Sequence, residues 1–69
     1  MKKTEYFISQ VPYNQSQQGI NDVVNQRNIF IDKNIQSIGK IECEDIIITY
    51  LQGTNLILFT IKLTFYPKK

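Results

Sequence analysis

Apolar positions crowd the C-terminal part of this chain. Residues 38–66 alternate between two sides about the polar stretch Gln52-Gly53-Thr54-Asn55 and read as one long β-hairpin. Taking Gly53-Thr54 as a two-residue turn puts glycine first, where a type II′ turn needs φ > 0. The register follows. Leu51 faces Leu56, Tyr50 faces Ile57, Ile48 faces Phe59 and Ile46 faces Ile61. Side chains alternate across a strand, so Tyr50, Ile48, Ile46, Ile57, Phe59 and Ile61 share one wholly apolar face. The opposite face carries Leu51, Leu56, Thr49, Leu58, Ile47 and Thr60, then Asp45 against Lys62, an opposite-charge pair that suits a sheet.

Beyond Asp45 the alternation breaks. Strict pairing would set Glu44 against Leu63 and Glu42 against Phe65, with both acids on the core face. One extra residue at Glu44-Asp45 repairs it, because a one-residue slip flips every later side chain. Cys43 then faces Leu63, Ile41 faces Phe65 and Glu42 points outward, so a bulge is expected at Glu44-Asp45. The alternative is a strand that ends there, with residues 39–43 as a separate piece.

Residues 4–11 predict a strand with Tyr6 and Ile8 on one side and Phe7, Ser9 and Val11 on the other, ended by Pro12. Asn14 and Ser16 are N-cap candidates, and residues 16–27 form the one helix candidate. Its inner stripe is Ile20, Val23 and Val24, continued by Arg27 or Ile31. Gly19 and the two valines weaken it, so packing must hold it. Residues 28–37 extend the helix or form a short extended piece; Asp32-Lys33-Asn34 has turn composition. The expected fold is α+β: a single β-α-β-β domain over residues 1–69. One helix packs on a three-stranded, mainly antiparallel sheet, with the first strand beside either the third or the second.

One helix covers one face of a sheet. The better-patterned face (Ile46, Ile48, Tyr50, Ile57, Phe59, Ile61, Leu63, Phe65) is the natural one. That leaves Ile47, Leu51, Leu56, Leu58 and Tyr66 uncovered, a patch of the size that marks an interaction surface. The alternative is that the N-terminal segment or residues 29–31 fold over it.

Composition narrows the use of that patch. At 69 residues the chain is thermodynamically marginal, and small scaffolds of this kind are stabilised by disulfides, metal, oligomerisation or a partner. One cysteine and no histidine leave no internal disulfide and no ordinary zinc site. Neither a glycine-rich phosphate loop nor an acid-plus-nucleophile set is present, so no enzyme, metal or cofactor is expected. Glu42, Glu44 and Asp45 read as charges that protect a strand edge, and Cys43 as a small core hydrophobe. The net charge is +2, with lysines mostly at the ends, which makes nucleic-acid binding a weak fit. Met1-Lys2-Lys3 is followed by Thr4-Glu5, and the chain holds no apolar run of signal-peptide or membrane-spanning length. A cytoplasmic protein is expected. Twelve isoleucines, seven lysines to one arginine, and no alanine suggest AT-rich coding, as in a low-GC bacterium or its phages and mobile elements.

Three readings follow. The first is a non-enzymatic protein–protein interaction module, such as a small inhibitor or adaptor. Its partner is another protein or itself, as a homodimer or higher oligomer, met through an uncovered sheet face or strand edge. The second is a homo-oligomeric ligand binder: the β-α-β-β order resembles that of dodecins, small flavin-binding shells. Those bind flavin through a tryptophan, which is missing here, so the likeness stops at element order. The third is a single-stranded nucleic-acid binder using Tyr6, Phe7, Tyr13 and the terminal lysines.

Overall fold

Alternation at the N-terminus builds strand β1 (Lys3–Pro12), whose last residue, a proline, turns its missing donor to the free edge and not to β3. A 3₁₀ turn, Tyr13–Gln15, leads into helix α1 (Ser16–Lys33). The hairpin supplies β2 (Ile38–Tyr50) and β3 (Leu56–Pro67). The computed structural model describes residues 1–68. The strands lie in the order β1-β3-β2 and both pairings are antiparallel, so the fold is α+β, with the first strand beside the third.

The hairpin register is the expected one from Tyr50–Ile57 down to Asp45–Lys62. The turn is wider than two residues. Leu51 donates its N–H to the Leu56 carbonyl, and Thr54 donates back to the Leu51 carbonyl. Gly53 therefore stands third in the turn, with φ +78°, where a type II turn needs the left-handed region. The Thr54 hydroxyl braces the tip, donating to the Leu51 carbonyl at 2.7 Å and accepting from the Leu56 N–H at 3.1 Å.

The bulge is displaced from its expected place. Pairing runs on through Glu44–Leu63 and Cys43–Thr64, and slips between Ile41 and Cys43, with a second irregularity at Gly39. Glu44 needs no removal from the helix side, because Arg27 of α1 meets its carboxylate there. Glu42 has no such partner on that side. Past the slip it reaches Lys2, whose ammonium lies 3.2 Å from Oε2, and the Tyr66 hydroxyl, which donates to Oε1 at 3.3 Å. Cys43 consequently sits opposite Thr64 and is exposed, not buried against Leu63.

The helix runs on through residues 28–33, where the sequence pattern fits helix and extended chain alike. Its buried contacts are Gly19 and Val23, continued at helical spacing by Phe30, which lies 5.4 Å from Phe7 and 6.0 Å from Phe65 between ring centres. Asn34 stops it: its backbone N–H and its Nδ2 both donate to the Phe30 carbonyl. The core is Phe7, Val23, Ile38, Ile57, Phe59, Ile61, Leu63 and Phe65. Ile20 and Val24, expected inside, are exposed on the helix flank. The true inner contact is Gly19, whose missing side chain lets the helix backbone settle on Val11 and Phe59.

Candidate functional site

An α-helix is about 10 Å across and strands stand about 4.8 Å apart, so one helix roofs roughly two strands. Here α1 lies over β1 and β3. The third strand gets no roof, and every residue of β2 from Gly39 onward is exposed. Ile46, Ile48 and Tyr50 lie on the helix side of the sheet, opposite the buried Ile61, Phe59 and Ile57, yet are 66%, 51% and 64% exposed. Alternation placed them in the core; the width of one helix keeps them out.

Arg27 shows which flank of α1 looks toward β2. It shares a stripe with Ile20, Val24 and Ile31 at helical spacing, and its guanidinium meets Glu44 of β2. The half-exposed Ile20 and Val24 therefore border the bare strip of Ile46, Ile48 and Tyr50. At the hairpin end Tyr13 leans edge-on against Tyr50, ring centres 5.7 Å apart, and the Tyr13 N–H donates to the Asn55 carbonyl at 2.8 Å.

β2 is also an edge strand. Because the Leu51 N–H bonds β3, alternation turns the N–H and C=O of Tyr50, Ile48 and Ile46 away from β3, toward open solvent. The other edge differs. Gln26 of α1 donates its amide to the Ile8 carbonyl of β1 at 3.0 Å, and Lys3, Glu5 and Pro12 mark that strand with charge and a missing donor. Residues 46–50 of β2 carry no charge, proline or bulge.

The open face of the sheet has no covering element among the described residues. β1 lies in the sheet and residues 29–31 lie in α1, so neither folds over it. Ile47 is exposed there; Leu51, Leu56 and Leu58 are half-buried among their strand neighbours. Tyr66 shares that face by alternation but lies eight residues along β3 from Leu58, where it is engaged with Glu42. The register adds Ile8 and Tyr6, exposed opposite Thr60 and Lys62. Their shared side was legible in the alternation, but the choice of β3 as neighbour was needed to put them beside Leu58 and Ile47.

Other chemistry is sparse. Glu42, close by and hydrogen-bonded, holds the exposed Lys2 ammonium above the ordinary lysine pKa, so this surface tie is lost only as the pH rises past that raised value. Among the described residues, no group of three or more acidic or thiol side chains is placed to hold a metal. Phe7 is buried under α1, so Tyr6, Phe7 and Tyr13 do not form one stacking platform. A surface depression of about 460 Å³ is lined by Pro12, Tyr13, Asn14, Gln15 and Asn55 and includes no ionisable group besides the tyrosine phenol. No helix of the described residues is long and apolar enough to cross a membrane. Comparison with protein-family models, with curated proteins and with solved structures finds no match for the chain.

Proposed function

We propose that this chain is a non-enzymatic protein–protein interaction module of the inhibitor or adaptor kind, working through its uncovered sheet. One observation carries the reading: residues 46–50, a run of isoleucines with one threonine and one tyrosine, lie at a sheet edge and are exposed on both sides. A long apolar edge left free is an aggregation template, and natural proteins blunt or occupy it. Here the blunting devices sit on β1 and at the far end of β2. The adjoining open face, with Ile8, Ile47 and Leu58, extends the apolar surface. Strand addition at an edge draws affinity from backbone hydrogen bonds and specificity from alternate side chains, and it needs no catalytic group.

The test is affinity capture from the encoding organism, using wild type and Leu58→Lys in parallel, with folding checked by circular dichroism. A defined protein should be retained by wild type and lost by the variant. Identical recoveries from both would remove the open face from the binding surface.

A further inference from the structure

We infer that one occupant of the β2 edge is a second copy of this chain, paired antiparallel about a two-fold axis through Ile48. This rests on the reading of the uncovered sheet as the working surface, and it names the partner of the edge.

The edge is self-complementary. A two-fold axis perpendicular to the sheet keeps both helices on one face and pairs residues on that face with each other. Centred at Ile48, it sets Ile48 against itself, Ile46 against Tyr50 and Ile47 against Thr49 of the second copy. That is the one centre at which residues 46–50 pair wholly among themselves. Aromatic with β-branched, and β-branched with β-branched, are pairs that stabilise a sheet. The N–H and C=O of Ile46, Ile48 and Tyr50 already point outward, so the Ile48 pair is a hydrogen-bonded one.

Charge disfavours registers shifted toward the bulge. A centre at Asp45 or Glu44 would set each acid against its own copy, and a centre at Ile46 would set Glu44 against Ile48 and Asp45 against Ile47. At Ile48 the acids fall outside the apolar run, opposite Gln52 and Leu51. The assembly also closes: the remaining edges are the two β1 strands, where Gln26 occupies the Ile8 carbonyl, so pairing stops at two copies rather than running on as a filament.

The edge strip is also apolar on the helix side, where Ile46, Ile48 and Tyr50 are 66%, 51% and 64% exposed. Ile20 and Val24 extend the strip on the helix side.

Sedimentation equilibrium at about 100 μM should return twice the 8.1 kDa chain mass. Ile48→Lys, which sets two ammonium groups face to face across the axis, should return the single mass with an unchanged circular dichroism spectrum. A monomeric wild type, or an Ile48→Lys variant that keeps the double mass, would overturn the pairing. None of these touches the Leu58→Lys capture result, which reads a different protein on a different face.

Discussion

Two glycines show how single residues set this fold. A Cβ at Gly19 would stand 2.6 Å from Val11 Cγ2 and 2.8 Å from Phe59 Cδ2. Alanine is worth about 1 kcal/mol over glycine inside a helix, but overpacking against stiff, buried neighbours costs roughly 1–3 kcal/mol. Val11 is β-branched and Phe59 is buried, so the clash wins. Gly19→Ala should lower the denaturation free energy by up to about 2 kcal/mol in urea titrations. Gly53 is the opposite case. Nothing lies within 4 Å of its missing Cβ, so only the positive φ matters. Gly53→Ala should cost about 1 kcal/mol, while Gly53→Asn, which tolerates the left-handed region, should cost clearly less in the same titration. Equal costs would mean that the tip relaxes to another turn.

At the scale of elements, the hairpin was readable because a single slip would have turned its whole apolar set to water. Its bulge was misplaced because the sequence showed two acids on the core side but not the cation that meets one of them. Arg27 comes from another element, and no local pattern announces that it reaches Glu44. The second half of α1 was hidden for a related reason. Its anchor, Phe30, sits in the apolar triplet Ile29-Phe30-Ile31, which suits helix and strand alike, and it packs against Phe7 and Phe65 of the sheet. The Arg27–Glu44 pair is partly screened, with about 30% of each side chain exposed. A double-mutant cycle with Arg27→Met and Glu44→Gln should therefore give a coupling of about 0.5–1 kcal/mol, falling with added salt. A coupling of zero would leave the bulge position without its electrostatic cause.

At the scale of the whole molecule, the shape follows from one helix on three strands. The chain measures 46 × 19 × 11 Å, and a second copy along β2 would extend it sideways into a six-stranded sheet. Which residues face the core was legible for β3, central and roofed. It was not legible for β2, whose alternation looks the same whether or not a helix lies above it. Amide hydrogen exchange can read the difference one residue at a time. The Ile47 and Thr49 amides bond β3 within one copy and should be protected at any concentration. The Ile46, Ile48 and Tyr50 amides point outward and should exchange freely when the chain is dilute. Raising the concentration should slow those three by as much as the dimer is populated and leave Ile47 and Thr49 unchanged. Ile48→Lys should abolish that dependence. The same mass action makes the melting temperature rise with concentration in wild type and not in the variant. Slowing spread evenly over β1 and β2 would indicate general aggregation instead, because two-fold pairing about Ile48 protects alternate residues on one edge only.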